Sequence, residues 1–406
     1  MSIVMGIVGI LVTMALAWIA SSDRKRAFSH WINILMLLGL QLIFAFILLS
    51  TTVGETIVSW LADGFNVVLG FAQEGISFVF GDLVNVAPEG GTIFFFGVLM
   101  PIIFVSAIIG ILQFLRILPL IIKGIGWFLS KVTGMPYIES YNGAASMFLG
   151  QSEVFITLKH IVPQLNARRL YTLCAQAMSS VSLSIVGAYM AQLEPRFVIV
   201  AIIMNLFGIY VVSHIINPYP EAGTASEEET DVEISNNPEA GKSFFQVLGD
   251  YIMDGAKVAV IVGAMLIGYI ALIALLNNLF LLIPGNSLTF QDILGYVFMP
   301  LAFLMGIPWA EAHTAASIMA TKLITNEFVA IFDFIAVADT LSERTQGMIS
   351  VFLISFANFS SIGIIAGSVK GIHEESGNTV ARFGLKLVYG ASLVSVLSAV
   401  MVGFFL

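Results

Sequence analysis

Long apolar runs separated by short polar stretches set the pattern of this chain. A helix that crosses a bilayer needs about 20 mostly apolar residues. Runs of that kind cover 3–20, 32–49, 94–115, 171–190, 197–216, 244–282, 348–369 and 385–406, and they predict eight spanning helices. Between 51 and 91 the pattern changes: Ile57, Trp60, Leu61, Val68 and Phe71 alternate with Glu55, Asp63, Glu74, Asp82 and Glu89, with no Lys or Arg. That half-apolar spacing predicts amphipathic helices lying along the membrane surface. Two further stretches are too polar to span. Residues 137–153 contain Glu139, Asn142, Gly143, Gln151 and Glu153, and residues 298–330 contain Pro308, Glu311, His313, Lys322, Asn326 and Glu327.

Basic residues orient the runs, because Lys and Arg favour the cytoplasmic side. Arg24, Lys25 and Arg26 follow the first run instead of preceding it, which predicts a retained span that starts outside and not a signal peptide. Lys131 precedes the first polar stretch, and Lys159, Arg168 and Arg169 follow it, so both of its ends are expected on the cytoplasmic side. A segment that enters and leaves by one face is a re-entrant hairpin, which membranes tolerate only where protein or a cavity surrounds the backbone. The second polar stretch reads as a hairpin entering from outside, after an outer turn at Pro284-Gly285-Asn286. Both termini are then expected outside, with Arg196, Lys322 and Arg344 as exceptions to the charge rule.

The chain divides accordingly. Residues 1–136 hold spans one to three and the surface helices; 137–216 hold the first hairpin and spans four and five; 217–243 form an acidic, disordered cytoplasmic loop. Residues 244–297 hold a long sixth span, and 298–406 hold the second hairpin with spans seven and eight.

Composition narrows the function. The 406 residues are 58% hydrophobic and 11% charged, with mean hydropathy +0.96; a soluble domain is about 25% charged. The excess apolar surface needs lipid. No basic stripe of the kind nucleic acid requires accompanies the net charge of -9. One cysteine, Cys174, excludes an internal disulfide, and five histidines without HExxH spacing argue against a zinc enzyme. Gly241-Lys242-Ser243 resembles the end of a phosphate-binding loop, but Asn236 stands where that loop needs glycine. Paired Asp-rich motifs for a lipid-processing metalloenzyme are also missing. Neither a cofactor nor enzymatic activity is expected; a channel stays open as an alternative.

Ionisable groups at membrane depth cost roughly 2.5–3.5 kcal/mol on insertion scales and are functional by default. They fall in two clusters: Gly150-Gln151-Ser152-Glu153 followed by Ser179-Ser180-Val181-Ser182, and Thr325-Asn326-Glu327 followed by Asn358-Phe359-Ser360-Ser361. Each pairs a Glu-bearing hairpin with a span interrupted by small polar residues. Hairpins entering from opposite sides suggest an inverted repeat, whose site forms at mid-membrane. Single serines in such helices more often bond to their own backbone; the two glutamates and Asn358 are less easily explained so. Asp254 with Lys257 reads as a pair or as snorkelling charges. Glu311 and His313 read as structural groups at a hairpin end, with a proton relay as the alternative, and Phe94-Phe95-Phe96 as packed or lipid-facing.

Gly150-Gln151-Ser152-Glu153, Asn326-Glu327-Phe328-Val329-Ala330 and Ser355-Phe356-Ala357-Asn358-Phe359-Ser360-Ser361 resemble the three signatures of the concentrative nucleoside transporter family. The resemblance covers almost the whole chain and is strongest to the family's proton-linked bacterial permeases. It implies an all-α membrane protein of eight spans and two hairpins, a homotrimer, importing nucleosides across the bacterial inner membrane with a cation. By resemblance, Gln151, Ser152 and Glu153 face the nucleobase, Glu327, Asn358 and Ser361 hold the ribose hydroxyls, and Ile185 and Phe356 pack around the ligand. A coupling sodium in that family sits at positions matching Ser146, Leu149, Ser180 and Val181. An Asn is typical at the first of these, and Ser146 departs from it, which favours protons over sodium.

Overall fold

The computed structural model describes residues 2–85, 93–218, 241–283 and 288–406. Most of the acidic loop, the residues around Glu89 and the turn at Pro284-Gly285-Asn286 lie outside those ranges. Every regular element among the described residues is helical. In chain order they are α1 (Ser2–Ile19), α2 (Trp31–Ser50), α3 (Thr52–Phe80), α4 (Pro101–Phe114), α5 (Ile117–Thr133), α6 (Tyr137–Thr157), α7 (Ala167–Ser179), α8 (Leu183–Met190) and α9 (Pro195–Ile216). After the loop come α10 (Phe244–Leu281), α11 (Phe290–Leu304), α12 (Trp309–Ile324), α13 (Glu327–Val337), α14 (Glu343–Leu353), α15 (Phe359–Ile372), α16 (Glu374–Arg382) and α17 (Gly384–Val402).

Helix starts follow from capping chemistry, in which a side-chain oxygen accepts from a free N–H of the first turn. Thr51 does this for α3, Asn166 for α7, Ser342 for α14, and Ser243 with Gln246 forms a reciprocal box for α10. A single π-helical turn, Phe95–Leu99, leads into α4. The stretch after residue 51 is one continuous 29-residue helix, not several.

Among the described residues, six helical stretches are long and apolar enough to cross a membrane: Trp31–Ser50, Phe95–Phe114, Ala167–Met190, Pro195–Ile216, Phe244–Leu281 and Gly384–Val402. The remaining two of the eight expected spans fall short of that measure. α1 is a shorter apolar helix, and the run expected over 348–369 is divided into α14 and α15. Burial sorts the six. α9 is 89% buried over its most apolar window and α17 78%, whereas α10 is 11% buried. The first two, with α7 and α8 (83% buried), lie in the core; α10 is more apolar still but keeps Val260, Ile267, Ile270, Leu272 and Leu275 exposed, which suits a lipid boundary.

The second hairpin is shorter than expected and starts later. Residues 298–304 belong to α11, a separate helix begun by a Thr289–Asp292 capping box and continuing past Pro300. The hairpin arms are α12 and α13, with the break at Thr325 and Asn326. A boundary at 297/298 therefore cuts through α11; the chain turns instead at Gly306, whose φ is +105°. The three basic exceptions all have partners. Arg196 pairs with Glu194 at 2.6 Å and Glu343 at 3.0 Å. Arg344 donates to the carbonyls of Gly403 and Leu406. Lys322 is buried.

Candidate functional site

Four interruptions in the helices meet around one cavity of about 190 Å³. The first lies inside α6 at Gly150, with φ +83° and ψ 171°. A Cβ there would stand 2.9 Å from Ser182 Cβ, so both backbone and space require glycine. The second separates α7 from α8 at Ser180 to Ser182, in extended backbone. The third is Asn326 and the fourth runs from Ile354 to Asn358.

Asn326 and Asn358 do the same local work. Each is extended, and each side-chain oxygen accepts from the N–H three residues on: Val329 at 3.0 Å and Ser361 at 2.9 Å. Both α13 and α15 therefore begin at the cavity and present their positive dipole ends to it. The second and fourth interruptions touch directly, since the Phe356 N–H donates to the Ser180 carbonyl at 3.2 Å.

Glu327, the first residue of α13, is buried. Tyr189 Oη donates to its Oε1 at 2.8 Å, and Asn358 Nδ2 donates to its Oε2 at 3.1 Å. Each carboxylate oxygen keeps a second acceptor direction. Two neighbouring polar atoms, Gln151 Oε1 and Ser361 Oγ, are buried without a hydrogen-bond partner in the protein. Such atoms cost about 1–3 kcal/mol each unless something meets them. The opposite wall, from α10, is apolar: Val258, Ile261, Val262 and Met265. A small solute with hydroxyl or amide groups on one side and a flat apolar body fits that asymmetry.

Gln151, Ser152, Glu153, Ile185, Glu327, Phe356, Asn358 and Ser361 all line this cavity, although they come from four helices and one inter-helix segment. Of the residues matched to a coupling ion, which lie beside it, Ser146, Leu149 and Val181 are buried and Ser180 is half-buried. Ser146 Oγ donates to the Asn142 carbonyl at 2.7 Å, and Ser180 Oγ donates to the Ser146 carbonyl at 3.0 Å. Leu149 and Val181 are packed in the core. Among the described residues no three His, Cys, Asp or Glu cluster as a metal site.

The other singled-out groups have separate duties. Lys257 and Asp254 form an ion pair at 2.9 Å. Glu311 accepts from Ser342 Oγ at 2.8 Å, while His313 bonds the Asp292 carbonyl at 3.1 Å and lies against Tyr296, so the two engage different elements. Phe94 packs on Phe332 and Phe96 on Phe80. Sequence reasoning missed Tyr189, although it stands one turn beyond Ile185 on the same face of α8. It also left Lys322 as a mere exception to the charge rule, five residues before Glu327.

Three family models cover the chain: Na+ dependent nucleoside transporter N-terminus over residues 8–83, nucleoside recognition Gate over 95–196, and Na+ dependent nucleoside transporter C-terminus over 197–403. The chain is 34% identical to the purine nucleoside transport protein NupG of Bacillus subtilis, over all of both chains. It is 30% identical to the nucleoside permease NupC of Helicobacter pylori, covering 98% of this chain and 97% of the relative. The solved structure of CNTnw in an inward-facing substrate-bound state matches with a TM-score of 0.90 at 28% identity, covering 100% of this chain and 99% of that one.

Proposed function

The chain belongs to the concentrative nucleoside transporter family, and from that premise we propose that it imports nucleosides across a bacterial inner membrane in symport with protons. The family consists of transporters, which are not enzymes. The observation that carries the reading is the cavity itself, where polar side chains from both hairpins and both broken helices converge opposite an apolar wall.

In this reading Glu327, Asn358 and Ser361 hold the ribose hydroxyls. An ionised carboxylate whose free acceptor directions face the cavity takes hydroxyl hydrogen bonds of the strong, charge-assisted kind. Gln151 and Ser152 meet the base edge, Gln151 with both a donor and an acceptor. Glu153 lies alongside them, and Ile185 and Phe356 pack against the ligand. Purine nucleosides belong among the substrates, as the name of the Bacillus subtilis relative suggests, alongside uridine and cytidine. The assembly is a homotrimer of eight-span protomers, as the family resemblance implies, with both termini outside, as the distribution of Lys and Arg suggests.

Sodium is the second reading for the coupling ion, since two of the three matching family models are described as sodium-dependent. Local chemistry favours protons. Ser146 supplies a hydroxyl that already bonds back to Asn142, and the carbonyls of Ser146 and Ser180 each already accept a hydrogen bond. Labelled-uridine uptake into proteoliposomes, with proton and sodium gradients imposed separately, tests both parts. Accumulation driven by the proton gradient alone is expected. Sodium-driven accumulation that a protonophore leaves intact at fixed membrane potential would establish the second reading, and uptake that only equilibrates would indicate a channel.

A further inference from the structure

Lys322 is fully buried, and every hydrogen bond its ammonium makes is to a neutral oxygen. It donates to the Phe352 carbonyl at 2.5 Å, Ser355 Oγ at 2.7 Å and Ser395 Oγ at 3.2 Å, which uses all three donors. It lies over the Phe352 ring at 4.6 Å. A cation so placed is costly to bury, and an aliphatic side chain would pack there without that cost.

The break between α14 and α15 explains the placement. In a continuous helix the Phe352 carbonyl would accept from the N–H of Phe356, four residues on. That N–H is instead turned to the Ser180 carbonyl in the other broken span. The Phe352 carbonyl is thereby orphaned at the negative end of α14, and a carbonyl without a partner at that depth is expensive. The Lys322 ammonium takes the place of the missing donor and sets a positive charge where the helix dipole favours one. Its other two bonds reach Ser355, inside the unwound segment, and Ser395 on α17. Phe356, Asn358 and Ser361 follow within the next six residues, and all three line the cavity.

We propose that Lys322 is a positioning residue for ligand binding: it replaces the lost helix donor and so fixes the unwound segment that aims Phe356, Asn358 and Ser361 into the cavity. Lys322 does not line the cavity, so its effect on the ligand passes through the unwound segment that carries Asn358. The proposal rests on the assignment of Glu327, Asn358 and Ser361 to the ribose hydroxyls, which gives the test its selectivity.

Equilibrium binding of uridine and of 2′,3′-dideoxyuridine to the purified, detergent-solubilised protein separates the possibilities. Wild type should prefer uridine; if it does not, the ribose assignment fails before Lys322 is examined. Given that preference, Lys322→Met should reduce the uridine-to-dideoxyuridine affinity ratio about tenfold, the scale of one well-formed hydrogen bond to a charged group. Dideoxyuridine affinity itself should move little. An unchanged ratio, or equal loss for both ligands, would overturn the proposal and leave Lys322 a purely structural group. Should Lys322→Met not yield folded protein, Ser395→Ala decides instead, since it removes one anchor and keeps the charge. A fall in the ratio supports the proposal, and a wild-type ratio overturns it.

Discussion

Glu327 carries the most constrained chemistry of any single residue in the cavity. Its two oxygens accept from Tyr189 and Asn358, donors from different halves of the chain. Glu327→Gln keeps the shape but has one acceptor oxygen in place of two, so one of those donors loses its partner and the ligand loses charge-assisted bonds. Uridine binding should weaken by about 1.5–3 kcal/mol, roughly 10- to 100-fold in Kd, measured by calorimetry or radioligand binding on folded protein. Binding at wild-type strength would remove Glu327 from the ligand site. The residues of this cavity were visible in sequence because polar groups stand out inside apolar runs: Gln151, Glu153, Glu327 and Asn358 have no other ready explanation. Tyr189 was not, because a phenol in an apolar helix reads as bulk, and only the position of its hydroxyl 2.8 Å from a carboxylate gives it a role.

Interrupted helices, more than any whole one, build the site. Gly150, Ser180 to Ser182, Asn326 and the segment before Phe359 each end one helix and start another at the cavity wall. Gly150 is the most demanding, because its φ of +83° and its closeness to Ser182 both exclude a side chain. Gly150→Ala should store about 1–3 kcal/mol of backbone strain at the tip and lower nucleoside affinity roughly in proportion. A thermal-shift assay on purified protein reads this as loss of the stabilisation that nucleoside confers; a wild-type ligand shift would show that the tip adapts freely. Whole spans were legible from apolar length, and α9 and α10 start and end within two residues of the expected bounds. The second hairpin was not. Residues 298–304 continue the apolar composition of α11, and the helix runs through Pro300. The small polar residues did mark the stretch over 348–369 as an interrupted span, but the break falls at Ile354 to Asn358, between α14 and α15.

At the scale of the whole molecule, the proposed inverted repeat would pair two runs of elements after α3. α4, α5, the broken α6, the pair α7 and α8, and α9 are followed by α10, α11, the pair α12 and α13, the pair α14 and α15, the short α16, and α17. The proposed mechanism uses that doubling: each half supplies a hairpin and a broken helix to one binding site, and the two sets move past a scaffold that includes α10 while the ligand stays at mid-membrane. The Phe356–Ser180 backbone bond ties the two broken helices together, consistent with their moving as a unit. What the sequence could show was two similar clusters; that they face one cavity depends on packing across more than 170 residues of chain, as between Ser182 and Asn358, which no local pattern encodes. Cysteine protection tests that shared site most directly. In a Cys174→Ala background, Ser152→Cys and Ser361→Cys are each treated with a membrane-permeant thiol reagent, with and without uridine. The account predicts that uridine slows modification at both positions over the same concentration range. Protection at one position and not the other would mean that the two halves do not share a site.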